Sequence, residues 1–228
     1  MKPVTRMMQD IEREVGYTAS LTGRHALDPR VMDAMKQVPR HEFVPADAQA
    51  YAYEDGPLSI GHGQTISQPF IVALMTDLLN PEPDHVVLEV GTGSGYQAAI
   101  LSLLVKQVYS TEIVEPLATA ARERLQRLGY ANVEVSAADG YHGWIEHAPY
   151  DGIVVTAAAP TVPGPLVEQL EPGGRLVIPV GLPYSYQELM LVEKSEDNTV
   201  HTKDILGVAF VPLTGKHPKK DKKGDRFI

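Results

Sequence analysis

The chain has 228 residues, 43% hydrophobic and 21% charged, enough apolar material for one full α/β core with small additions. A formal net charge of −9 gives no overall basic field for phosphate, so no nucleic-acid partner is expected. The absence of cysteine excludes disulfides, thiol catalysis and zinc-thiolate sites.

The eight histidines form no HExxH-type pair, and no metal is expected. After Met1 no apolar stretch has the length of a secretory signal or a membrane span, so the expectation is a cytoplasmic protein without a membrane partner.

In chain order, Asp28-Pro29 reads as the capped start of a helix carrying Val31, Met32 and Met35 on one face. Phe43-Val44-Pro45 and the run from Tyr51 to Pro57 read as irregular and aromatic, with Tyr51, Tyr53, Asp55 and Leu58 as candidates for shaping a cleft. The stretch GHGQTISQP, residues 61–69, sets two glycines and small polar side chains ahead of an apolar segment and reads as a shaped loop rather than a strand or helix. Ser67, two residues before Pro69, also fits a helix N-cap. Residues 1–79 together read as an N-terminal helical and irregular appendage over the ligand end of a sheet.

From His85 onward short apolar runs alternate with helical patterns. Strands are expected at 85–91, 107–113, 132–138, 150–157 and 175–180. Helices are expected at 97–104, 118–128 (stopped by Gly129) and 165–170. Two further strands, 187–194 and 205–213, are expected to form an antiparallel addition across the polar turn Ser195-Glu196-Asp197-Asn198. The sum is an α/β fold, a doubly wound, mostly parallel seven-stranded sheet over residues 80–215, with ligands at the carboxyl ends of its strands. Residues 216–228 form a lysine-rich tail that reads as solvated and flexible.

The loop Gly91-Thr92-Gly93-Ser94-Gly95 follows one strand and opens a helix, so backbone can approach a ligand where side chains would collide. A dinucleotide fingerprint needs its third glycine at position 96, which is Tyr96, so the spacing disfavours NAD. Glu89, just before the loop, suits a ligand with positive charge, such as S-adenosylmethionine. Glu112 ends the second strand about twenty residues on, where a carboxylate can accept from a ribose diol or simply be solvated. Asp139-Gly140 can serve an adenine amino group and ring, or be an Asp-Gly turn. Thr156 and the small residues after it fit a cofactor floor equally with plain packing.

VLEVGTGSGY, Glu112, ADG at 138–140, VVTAAAP at 154–160 and LEPGGRLVIPVG at 170–181 resemble the successive motifs of class I S-adenosylmethionine-dependent methyltransferases, with their Rossmann-like fold. GHGQTISQP, with PRHEFVP at 39–45 and AYEDGPLSIG at 52–61, resembles the protein-L-isoaspartate O-methyltransferase family. The resemblance implies methylation of the free α-carboxylate of isoaspartyl residues in damaged proteins and peptides. The ester then collapses to a succinimide, a repair step, and S-adenosylhomocysteine is the other product. It implies Ser67 as the active-site serine, Gln64, Thr65, Ile66 and Thr214 at the substrate, and Glu89, Gly91, Thr92, Gly93, Ser94, Gly95, Glu112, Asp139, Gly140 and Thr156 at the cofactor.

A carboxylate is already ionised at neutral pH, which agrees with a site to which no His or Lys is tied by pattern. Two alternatives share the cofactor motifs: a methyltransferase acting on another protein or a small molecule, and a nucleotide-binding module that has lost its chemistry. A monomer is expected, since no apolar helix face is left over.

Overall fold

The computed structural model describes residues 2–183 and 185–215, so the tail at 216–228 lies outside the described residues. Helix α1, Pro3–Thr22, occupies a stretch to which the sequence reading assigns no element. Pro3 suits its first turn, Met7, Ile11 and Val15 recur every four residues as its buried stripe, and Gly23 stops it in the left-handed region at φ 71°. Helix α2, Pro29–Gln37, starts as expected: the Asp28 carboxylate accepts from the Arg30 N–H at 2.7 Å. Two 3₁₀ turns follow, Arg40–Phe43 and Ala46–Tyr51.

The segment 58–66 differs from the expected loop. It is a hairpin of β1, Leu58–Gly61, and β2, Gln64–Ile66, paired antiparallel with Leu58 opposite Ile66. Gly61, His62 and Gly63 turn it at positive φ, a conformation glycine adopts without strain. Helix α3, Pro69–Leu79, is buried at every position, because it is packed between α1 and α2 on one side and the sheet on the other.

The remaining strands are β3 Val86–Val90, β4 Gln107–Glu112, β5 Val133–Ala137, β6 Tyr150–Val155, β7 Leu170–Gly181, β8 Gln187–Lys194 and β9 Val200–Val208. They form one seven-stranded sheet in the order β5-β4-β3-β6-β7-β8-β9. The first five are parallel; β8 and β9 are antiparallel additions. The last strand lies earlier in the chain than expected: Phe210 to Leu213 leave the β8 ladder, and Leu213 instead donates to the Ala158 carbonyl at 2.8 Å.

Alternation along the strands builds two cores. Val87, Val154 and Val177 face the cluster shared with α1 to α5 (α4 Tyr96–Ser102, α5 Glu115–Arg127). Leu88, Val90, Ile153, Val155, Leu176 and Ile178 face the other, closed by Leu166 of α6, Gly164–Glu168. Each such buried aliphatic side chain contributes about 1.5–3 kcal/mol. Strand order reverses between β3 and β6, which opens a crevice beyond the carboxyl ends of β3, β4 and β6.

Candidate active site

The crevice is built on the glycine loop. Gly91, Gly93 and Gly95 have φ of +96°, +51° and +85°, a region that favours glycine. The loop is stitched from three sides. The Gly91 and Thr92 N–H groups donate to the Thr111 carbonyl at 2.8 and 3.1 Å. The Thr156 hydroxyl donates to the Gly91 carbonyl at 2.6 Å, and Arg124 of α5 donates to the Ser94 carbonyl at 2.8 Å. A Cβ at Gly91 would stand 2.5 Å from the Thr156 hydroxyl oxygen, so this glycine is needed for space as well as for φ.

Three hollows meet there. The first holds about 500 Å³ of empty space, part of it open to solvent, between the glycine loop, Glu112, Gly140, Thr156 and Val211 to Thr214. A second, of about 290 Å³ and likewise partly open to solvent, lies against Glu89, Tyr96 and Gln97. The third is a broad cleft of about 1290 Å³ between α1, the start of α3 and the β8 and β9 strands. Thr65 lines all three, and Ser67 lines both the second hollow and the broad cleft. The segment 65–67 is therefore the partition between the glycine-loop space and the cleft. Among the described residues no His or Lys lines any of them.

Glu89 is fully buried near the carboxyl end of β3. Ser110 donates its hydroxyl to one carboxylate oxygen, while Oε1 makes no close hydrogen bond, the Ala98 backbone offering only a weak one, and Glu89 lines the second hollow. Burial pushes its pKa up to about 8; Ser110 opposes the shift and the Glu112 charge adds to it. Glu112 sits at the end of β4 and accepts from the Gly93 and Val114 N–H groups. Gly140 leaves room: a Cβ there would stand 2.4 Å from Val90 Cγ1. Asp139 caps the 3₁₀ turn Gly140–His142 by accepting from the Tyr141 N–H at 3.1 Å, next to Gly140 on the wall of the first hollow.

Gln64 and Thr214 lie on the first hollow rather than along the cleft. Ile66 is 3% exposed, belongs to the main hydrophobic cluster and also lines the second hollow. Ser67 does not cap α3. Gln68 occupies the N-cap position without a side-chain bond, and Asp55, distant in sequence, accepts from the Phe70 N–H at 3.2 Å in its place. Thr92 and Ser94 are buried and line the second hollow; Thr92 shares a hydrogen bond with Ser110, and Ser94 accepts from the Tyr96 N–H at 3.3 Å.

The model of the protein-L-isoaspartate(D-aspartate) O-methyltransferase family matches residues 17–218. The chain belongs to that family. It is 63% identical over 212 residues to protein-L-isoaspartate O-methyltransferase 2 of Syntrophobacter fumaroxidans, covering 93% of this chain and 86% of that one. It is 61% identical over 217 residues to the Nitrosococcus oceani enzyme of the same name, covering 95% and 99%. Among solved structures, a protein-L-isoaspartate O-methyltransferase superposes with TM-score 0.81 at 29% identity, over 93% of this chain and 66% of that one. A Plasmodium falciparum protein described as a putative member, in complex with S-adenosyl-L-homocysteine, superposes with TM-score 0.74 at 26% identity, over 92% and 97%.

Within this isoaspartate methyltransferase architecture the sequence reading passes over three contributors. Thr111 lines the first hollow with a buried hydroxyl that lacks a partner; its place beside Glu112 at a strand end is the signal. Val211 to Leu213 complete the wall through the bridge of Pro212 to Ala158, a pairing no local pattern announces. Arg40, in the PRHEFVP motif, is fully buried and bonded to the Ser67 carbonyl.

Proposed function

We propose that the chain methylates the free α-carboxylate of L-isoaspartyl residues in damaged proteins and peptides, with S-adenosylmethionine as donor. The observation that carries this reading is the partition: one short segment, 65–67, borders both the glycine-loop space and a cleft wide enough for a peptide. Residues 1–79 supply that segment and much of the cleft wall, and residues 80–215 the cofactor-binding body.

The residues present suit the cofactor. A buried carboxylate oxygen without a close partner, on Glu89, calls for a cationic donor, and a bound ammonium would meet that need. The space kept by Gly91 and Gly140 admits a flat ring and a ribose against backbone, with Glu112 as acceptor for the diol and Thr111 and Thr156 beside it. Bound there, S-adenosylmethionine supplies an electrophilic methyl group on a sulfonium and leaves as S-adenosylhomocysteine.

The chain's own work is placement. An isoaspartyl carboxylate arrives ionised, so no group has to remove a proton. Ser67 and Thr65 donate hydrogen bonds that replace water around it and hold one oxygen toward the partition. Correct orientation lowers the barrier by up to about 7–11 kcal/mol, and each hydrogen bond to the charged oxygen contributes about 1.5–3 kcal/mol. Few donors suit the task, because many would quench the nucleophile. The ester then collapses to a succinimide without further help.

The net charge of −9 supports a partner set without nucleic acid, and no helix among the described residues is long and apolar enough to cross a membrane. We take the working form to be a cytoplasmic monomer, which sedimentation as a species near 24.9 kDa would support and a larger species would refute. The activity is tested with methyl-labelled S-adenosylmethionine offered to an isoaspartyl peptide and to its aspartyl twin. Base-labile label on the isoaspartyl peptide alone is expected; equal label on both, or none on either, contradicts the reading.

A further inference from the structure

Arg40 is a cation with no exposed surface, and among the described residues no carboxylate lies within ion-pair distance of it. A buried charge with no carboxylate in direct contact, only the more distant Asp55 attracting it, is costly where an apolar side chain would fill the same space, so its residue type needs a reason beyond packing. Its donors supply one. Nε donates to the Ala52 carbonyl at 2.8 Å, and Nη2 to the Ser67 carbonyl at 2.7 Å and, longer, to the Gly56 carbonyl at 3.5 Å. The guanidinium also lies 4.8 Å from the centroid of the Tyr96 ring, at the helix start that follows the glycine loop.

The loop that Arg40 grips, 52–56, contains Asp55. Its Oδ2 accepts from the Gln68 side-chain amide at 2.8 Å, and its Oδ1 accepts from the Phe70 N–H at 3.2 Å. Ser67 is thus tied at its own carbonyl by Arg40, and its chain neighbours at 68 and 70 are tied by Asp55, both through one loop. Because Asp55 serves the first turn of α3, the Ser67 hydroxyl is not needed as a cap.

We propose that Arg40 and Asp55 are positioning residues for methyl transfer, a clamp closed through loop 52–56 that sets where Ser67 presents its hydroxyl at the partition. Neither touches the reacting atoms. The clamp rests on the reading that Ser67 orients the isoaspartyl carboxylate.

The test is a double-mutant cycle on kcat with an isoaspartyl peptide, using Arg40→Lys, Ser67→Ala and the pair, each assayed well below its melting temperature. Lys keeps the charge but loses the fork that reaches two carbonyls at once. Arg40→Lys is expected to lower kcat roughly 10- to 100-fold, the scale of a small misplacement, while cofactor Kd stays within about twofold. In the Ser67→Ala background the same substitution is expected to cost less than about twofold, because the group it positions is gone.

Losses that multiply independently, or an unchanged kcat in Arg40→Lys, overturn the clamp. Should Arg40→Lys not fold, Asp55→Ala takes its place in the same cycle: a loss of kcat that vanishes in the Ser67→Ala background supports the clamp, and an independent loss or none overturns it. Normal turnover by Ser67→Ala alone would refute the role of Ser67 itself, and the clamp with it. That result is read from the single variant and is distinct from independent losses in the cycle.

Discussion

The Glu112 carboxylate accepts the Gly93 N–H through Oε2 at 2.8 Å and the Val114 N–H through Oε1 at 2.9 Å. The acid at the end of β4 is therefore bolted to the glycine loop, and on the proposed reading its remaining acceptor capacity, on the wall of the first hollow, takes the ribose diol. Glu112→Ala removes the ribose acceptor and loosens the loop together. Each bond to a charged group is worth about 1.5–3 kcal/mol, so cofactor Kd is expected to rise roughly 10- to 150-fold. At saturating cofactor, kcat should fall by no more than about threefold, because the interaction is made in ground and transition states alike. Titration calorimetry beside saturation kinetics checks this, and an unaltered Kd removes the ribose role.

If Glu89 receives the cofactor's ammonium as proposed, cofactor binding is a proton-linked event. Burial raises its pKa from the ordinary 4.5 to about 8 in the folded chain, so between those values the folded state holds a proton that the unfolded state has released. The stability this group contributes is complete below about pH 4.5 and is lost as pH rises through about 8. A cationic ligand favours the ionised form, so its binding near pH 7 expels that proton and its affinity climbs toward pH 8. Calorimetry in two buffers of different ionisation enthalpy should register proton release from the wild-type chain and none from Glu89→Gln. Equal release from both would show that the proton comes from elsewhere.

Gly140 is constrained by space alone. An added methyl would stand 2.4 Å from Val90 Cγ1 and 2.6 Å from Thr111 Oγ1, inside contact distance for both. Gly140→Ala is expected to cost about 1–3 kcal/mol of stability, the usual range for overpacking, and to weaken cofactor binding because Gly140 and Thr111 both line the first hollow. Val90→Ala removes the nearer obstacle, so the double variant should regain part of the melting temperature lost by Gly140→Ala. If the two losses simply add, the crowding account fails.

The cofactor half of the site is legible in sequence because its demands are local. Gly91, Gly93 and Gly95 stand at positive φ on a strand-to-helix turn, and that requirement can be read from spacing without knowing what packs nearby. The strand ends that carry Glu112, Gly140 and Thr156 follow from the same alternation. The substrate half depends on contacts made across the chain. The partners of Arg40 are 12 to 27 residues away, and Asp55 reaches residues 13 and 15 positions on, so neither role has a periodic signature. The hairpin at 58–66 hides its alternation behind glycines and polar residues, and Asp55, supplied from a loop, displaces the cap that Ser67 alone suggests. Helix α1 was within reach, since Met7, Ile11 and Val15 repeat at the spacing of one helical face.

Turnover and melting of Ser67→Ala, measured side by side with an isoaspartyl peptide, test most directly the claim that segment 65–67 works by placing an oxygen. Loss of one donor to a charged oxygen, about 1.5–3 kcal/mol, predicts a fall in kcat/KM of roughly 10- to 150-fold, with the melting temperature and the cofactor Kd unchanged. Near-normal turnover in a chain that melts earlier would contradict the account, because it would make Ser67 a structural residue and leave the partition without its orienting group.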